Sequence, residues 1–221
     1  MKPLSPRVAT ILQWLLTLLM PYVLVISSLY LFMTPQFITW QYAQPDFPPA
    51  DRFTPDQRAY NAIETVLYTR GERTEQQLQA LGVYNEREIK HLVDVYHVSR
   101  PMLFLNPIFI LIMLGAFILL WRNPATRRRA GAGLAFGGIL TFGLVGAIGL
   151  VAVFAFNTFF VAFHRVLFAG DTWLFNYSDS LIQFYPELFW MKASYGIALF
   201  TLGGAVLFTA LGAWIMRRAP R

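Results

Sequence analysis

Four long apolar runs set the limits on this 221-residue chain. Residues 9–33, 101–121 and 132–156 contain no Asp, Glu, Lys, Arg or His, and residues 187–216 contain only Glu187 and Lys192. Each run is long enough for the ~20 residues that a helix needs to cross a bilayer. An ionised side chain at the bilayer centre costs about 2.5–3.5 kcal/mol on insertion scales, so charge is excluded from such stretches. The pattern predicts an all-α integral membrane protein with four transmembrane helices. The first run exceeds the ~7–15 apolar residues of a signal peptide and shows no small-x-small cleavage site, so it reads as a retained span, kinked at Pro21. The absence of cysteine excludes disulfides, thiolate nucleophiles and cysteine metal sites.

Charge distribution orients the spans. Lys2 and Arg7, the four arginines between Arg122 and Arg129, and Arg217, Arg218 and Arg221 flank the runs on one side. All twelve acidic residues fall on the other. The positive-inside rule then predicts a multi-pass protein of the cell membrane with both termini cytoplasmic. Residues 34–100 and 157–186 are placed outside, with all three histidines, His91, His97 and His164. The net charge of +6 belongs to these orienting clusters, which argues against a nucleic-acid partner.

Residues 34–100 predict a small extracytoplasmic helical cap. Trp40 to Pro49 reads as an extended, partly interfacial arm. Thr54-Pro55-Asp56-Gln57 and Thr74-Glu75-Gln76-Gln77 are capping boxes, with Gly71 and Gly82 as stops. Asn85-Glu86-Arg87-Glu88 starts a third helix, expected to end near Val98, before Pro101 opens the second span. Residues 157–186 combine many aromatics with His164, Arg165, Asp171 and Asp179, which predicts an interfacial active-site segment. The glycines of residues 132–156 predict close helix packing.

Two groups of side chains invite a chemical reading. Arg87, His91 and Asp94 share one helical face, apart from the apolar stripe Ile89, Leu92, Val93, Tyr96. An Asp one turn from a His holds one ring nitrogen and makes the other a better base; equally, the three form an ordinary solvated face. His164-Arg165 interrupts an apolar run, either as a satisfied polar pair or as function at membrane depth. Asp171, Thr172 and Asp179 either orient His164 or cap turns. Trp173, Phe175, Tyr185 and Trp190 read first as an aromatic belt and second as a wall for acyl chains. No nucleophile elbow, H-E-x-x-H or P-loop is present, and no spacing points to a metal or cofactor.

Arg87-Glu88-Ile89-Lys90-His91-Leu92-Val93-Asp94-Val95 and Phe163-His164-Arg165 through Gly170-Asp171-Thr172-Trp173-Leu174-Phe175 together resemble the bacterial lipoprotein intramolecular transacylase family, Lit. Asp179-Ser180-Leu181-Ile182, Pro186-Glu187-Leu188-Phe189 and the Trp40–Pro49 stretch follow the same pattern, so the likeness spans essentially the whole chain. The resemblance implies a four-helix membrane enzyme whose partner is a diacylglyceryl-modified lipoprotein among membrane lipids. It implies transfer of the sn-2 acyl chain from the glyceryl group to the α-amine of the N-terminal cysteine. Two extracytoplasmic histidines, here His91 and His164, are the implied catalytic groups, and a monomer is expected.

The residues suit that reaction. Because the substrate supplies the nucleophile, no Ser or Cys motif is needed. The α-amine has an ordinary pKa of ~7.7–8.0, within reach of an imidazole base. His164 is expected as that base, and His91, steadied by Asp94, as oxyanion stabiliser or acid, with the roles open to exchange. Arg87 and Arg165 are expected at the oxyanion, with Asp171 in support. Two rival readings remain at this stage: a His- or metal-dependent hydrolase of membrane lipids or peptides, and a non-enzymatic membrane sensor or assembly protein.

Overall fold

The computed structural model describes residues 4–219, and every regular element among them is helical. In order these are α1 (Pro6–Phe32), α2 (Pro35–Tyr42), α3 (Pro55–Thr69), α4 (Glu75–Gln79), α5 (Glu86–Arg122), a 3₁₀ turn (Pro124–Thr126), α6 (Arg127–Phe154), α7 (Phe156–Leu167), α8 (Ser180–Phe184) and α9 (Glu187–Arg218). Four of them, α1, α5, α6 with its preceding turn, and α9, are long and apolar enough to cross a membrane. Lys2 and Arg221, counted above among the basic flanks, lie outside the described residues.

One compact unit gathers the chain up to Ser28, Phe104–Leu150, and the chain from Ile197 onward. Leu16, Met20, Met113, Leu120, Leu134 and Ile215 are buried at its centre. Backbones approach closely there. Thr17 Oγ1 donates to the Gly133 carbonyl at 3.3 Å, and a Cβ on Gly133 would stand 2.9 Å from Leu16. The contact therefore tolerates no side chain, as expected of small-residue packing in lipid. Gly143, Gly146 and Gly149 face open space, so only the first half of the glycine-rich stretch packs this way.

The second unit, Leu29–Leu103 with Val151–Gly196, holds α2, α3, α4, α7, α8 and the first turns of α5 and α9. Ile38, Ala62, Val66, Leu78, Leu181 and Phe184 form the centre of its core. Start signals define its elements. Thr54 and Thr74 each form a complete capping box, and Gly71 and Gly82 take positive φ after the helices.

Two expectations about this unit are corrected. Trp40 is not in an extended arm: α2 runs to Tyr42, started by Thr34 Oγ1 accepting from Phe37 N, with Pro35 at the first turn. The prolines that suggested an extended chain, Pro45, Pro48 and Pro49, come only after it. Nor does the third cap helix end near Val98. It continues through Pro101 into the apolar run as one helix to Arg122. Pro101 forfeits the bond to the His97 carbonyl, but His97 is exposed and water can satisfy that oxygen.

Candidate active site

The first turns of α5 are fixed before any tertiary contact is considered. Asn85 Oδ1 accepts from Glu88 N at 3.0 Å, and Glu88 Oε2 accepts from Asn85 N at 2.9 Å. Leu92 turns into the core, and His91, one residue earlier, presents its ring to the segment 156–175. These turns carry Glu86, Arg87, Glu88, Lys90 and Asp94, so they stand outside the membrane-spanning part of α5.

His164 arrives on α7, an amphipathic helix without a buried residue and without a side-chain cap at Ala155. Aromatic rings hold it. Phe160 lies 4.0 Å from its ring centroid, Trp173 5.0 Å and Phe168 5.6 Å. His91 and His164 face each other with centroids 6.1 Å apart and planes 25° apart. Phe168 and Phe175 stand edge-on to His91 at 5.1 and 5.4 Å. Two imidazoles far apart in sequence thus share one aromatic enclosure.

The environment keeps both rings neutral. Burial pushes the His91 imidazolium down to about 4; the neighbouring His164 adds to this and Asp94 opposes it. Burial also lowers His164, partly offset by its bond to Phe160. That bond, His164 Nδ1 to the Phe160 carbonyl at 2.8 Å, decides the tautomer. A carbonyl only accepts, so Nδ1 carries the proton and Nε2 keeps its lone pair. His91 Nδ1 is buried without a hydrogen-bond partner.

The supporting residues are arranged differently from expectation. Asp94 does not hold His91; its Oδ2 accepts from Thr172 Oγ1 at 3.2 Å. Arg87 is turned to the Leu174 carbonyl at 3.1 Å and is not free to meet an oxyanion. Arg165 and Asp171 are exposed. Trp173 and Phe175 do wall the pair, and Trp173 is fixed by Nε1 donating to the Gly170 carbonyl at 3.1 Å. Tyr185 instead belongs to the core: its hydroxyl donates to the Ala62 carbonyl at 2.5 Å, and Trp190 packs on it and on Phe189. His97 lines a groove of about 710 Å³ along α5 that includes Asp94 and Asn85 but neither His91 nor His164. No group of three His, Asp or Glu among the described residues is placed to hold a metal ion.

Phe160, Phe168 and Glu88 were not singled out in the sequence. The Phe160 carbonyl is a backbone group, and Phe168 is one of twenty phenylalanines. Glu88 announced itself only as a helix-start residue, yet its second oxygen accepts from Leu181 N at 2.7 Å.

The family model for lipoprotein intramolecular transacylase Lit matches residues 12–190, most of the chain. The chain belongs to the Lit family. It is accordingly an acyltransferase of the lipoprotein transacylase kind and, with its four apolar helices, a multi-pass membrane protein. An uncharacterised protein of Aquifex aeolicus (strain VF5) is 26% identical over 212 residues, covering 91% of this chain and 94% of that one. Among solved structures, the membrane-integral Lit of Bacillus cereus superposes with a TM-score of 0.81 at 22% identity, covering 97% of this chain and 98% of the other. A variant of that enzyme with one histidine replaced by arginine gives a TM-score of 0.73, with 22% identity over 96% and 93% of the two chains. At these identities the structures speak for the fold.

Proposed function

We propose that this Lit-family member moves the sn-2 acyl chain of an S-diacylglyceryl N-terminal cysteine onto that cysteine's α-amine, giving a lyso-form lipoprotein. The observation that carries the reading is the neutral, facing pair of His91 and His164, with the His164 tautomer fixed by the Phe160 carbonyl. His164 Nε2 takes a proton from the amine as its nitrogen bonds to the ester carbonyl carbon. His91, neutral and unpartnered at Nδ1, donates a hydrogen bond to the oxyanion that forms. The bond to the glyceryl oxygen then breaks, and the proton held by His164 passes to that oxygen. One nitrogen loses a proton and one oxygen gains it, so no water or other reactant is consumed. Amine and ester sit on one molecule, so holding them together removes much of the entropic barrier.

In this reading Trp173 and Phe175, packed beside the two imidazoles, line the path of the transferred chain, and Phe163 and Val166, exposed on α7, meet lipid. Arg7, Arg122, Arg127, Arg128, Arg129, Arg217 and Arg218 support cytoplasmic termini, and the location of every acidic residue within the second unit supports an outward-facing site. The enzyme is read as acting as a monomer.

The test is mass spectrometry of the N-terminal peptide of a reporter lipoprotein made with this protein or with its His164→Ala variant. Lyso-form and parent are isobaric, so fragment ions must locate the acyl group. An N-acyl cysteine with the wild type and none with the variant is expected. An unchanged S-diacylglyceryl cysteine with the folded wild type would reject the reaction.

A further inference from the structure

Glu88 is a buried carboxylate that the proposed reaction does not use. Its side chain is 1% exposed, and none of the ion pairs among the described residues involves it. Each carboxylate oxygen instead accepts one backbone N–H: Oε2 from Asn85 at the start of α5, and Oε1 from Leu181 in α8. A buried carboxylate that pulls in two N–H donors from elements far apart in sequence must hold them in fixed relation, because losing either leaves desolvated charge unpaired.

What the two donors frame is the histidine pair. Glu88 lies one turn before His91 on α5. Leu181 ends the strap 171–181, whose Trp173 lies 5.0 Å from the His164 ring. The other ties between the strap and the start of α5 are solvent-exposed or half-buried: Asn85 Nδ2 to Asp179 Oδ1 at 3.1 Å, Arg87 Nη1 to the Leu174 carbonyl at 3.1 Å, Thr172 Oγ1 to Asp94 Oδ2 at 3.2 Å, and, just before the helix, Ser180 Oγ to the Val83 carbonyl at 2.5 Å. Glu88 is the desolvated member of the set, where a charged acceptor is most effective.

We infer that Glu88 is a positioning residue for acyl transfer: one carboxylate, bonded to the Asn85 and Leu181 N–H groups, sets the strap so that Trp173 aligns His164 with His91. The inference rests on the proposed reaction for its catalytic readout. The requirement is for two acceptors. A glutamine offers one acceptor oxygen and turns an NH₂ toward the other N–H. An aspartate is one methylene shorter; it keeps the Asn85 bond and loses the reach to Leu181.

The experiment compares full-length wild type, Glu88→Gln and Glu88→Asp in lipid, with kcat and KM for the reporter lipoprotein and ¹⁵N-histidine NMR of His164. For Glu88→Gln, kcat should fall about 100-fold, the scale of a misplacement near 1 Å, with KM held and the single His164 tautomer replaced by a mixture. Glu88→Asp should show a smaller fall of the same kind, and it carries the test if Glu88→Gln does not fold. A kcat near wild type with one His164 tautomer would overturn the inference. So would a loss expressed in KM alone, which marks a substrate contact. If the wild type itself converts no reporter, the proposed reaction fails and the tautomer readout alone judges the positioning.

Discussion

The two halves of the site are built to different standards. His91 stands on α5, whose start is closed by reciprocal Asn85–Glu88 bonds and whose Leu92 is locked into the core. His164 stands on α7, which has no buried residue and starts at Ala155 without a side-chain cap. One ring is placed by secondary structure. The other is placed by rings around it and by the Phe160 carbonyl. The contrast teaches that a two-part site needs only one rigid half, provided the second is gripped at the reacting group itself.

Deleting either ring should have the largest effect. His164→Ala removes the base and His91→Ala the oxyanion donor, and each should lower the transfer rate by about 10²–10⁴-fold. Their thermal unfolding should diverge. His91→Ala empties a site in a packed helix, whereas His164→Ala removes a half-buried ring from a helix with no fully buried residue and should lower the melting temperature less. Equal losses of stability in both would break the comparison.

Trp173→Ala comes next. It removes the ring beside His164 while leaving α5 intact. Activity should fall about tenfold to a hundredfold, with a stability loss of about 3–5 kcal/mol for a buried tryptophan. If His164 keeps its tautomer and full activity in this variant, the Phe160 carbonyl alone suffices to hold it.

Legibility in the sequence followed the same division. The start of α5 was readable because Asn85 and Glu88 sit three apart, a local signal with a local cause. The four apolar runs were readable because bilayer thickness fixes their length. The continuity of α5 through Pro101 was missed, since a proline reads as a break when the solvation of the freed His97 carbonyl is unknown. Asp94 was expected on His91 from their i,i+3 spacing, but that spacing cannot reveal Thr172, which arrives from the strap and takes the carboxylate. Tyr185 and Trp173 look alike as aromatics; only packing sends the first to the Ala62 carbonyl and the second to His164.

Acidity sharpens the contrast through stability. His91 has its folded pKa lowered to about 4 from an ordinary ~6.5. Between those values the unfolded chain binds the extra proton, so His91's contribution is complete above pH 6.5 and is lost as pH falls toward 4. The slope is about 1.4 kcal/mol per pH unit. Burial of His164 acts in the same sense. Glu88, whose carboxyl is pushed up by burial, acts in the opposite sense, so the wild type should be compared with His91→Phe. Thermal melts between pH 7.5 and 4.5 should be shallower for His91→Phe; parallel curves would mean that His91 is solvated in the folded protein.

The smallest effect belongs to the tie between Asp94 and Thr172. At 3.2 Å it is a long hydrogen bond from a half-buried hydroxyl, worth about 1 kcal/mol or less. Thr172→Val keeps the side-chain shape and removes only the donor. Because Glu88, Asn85 and Arg87 still fasten the strap, Trp173 should stay on His164 and the rate should fall less than about tenfold. Freed from Thr172, the Asp94 carboxylate lies one turn from His91, and its negative charge makes that ring more basic without taking Nδ1. The acid limb of the rate profile should therefore move upward in Thr172→Val, and Asp94→Asn should not show that movement. An unchanged profile in Thr172→Val would mean that Asp94 cannot reach His91 and that the two halves communicate only through the rings.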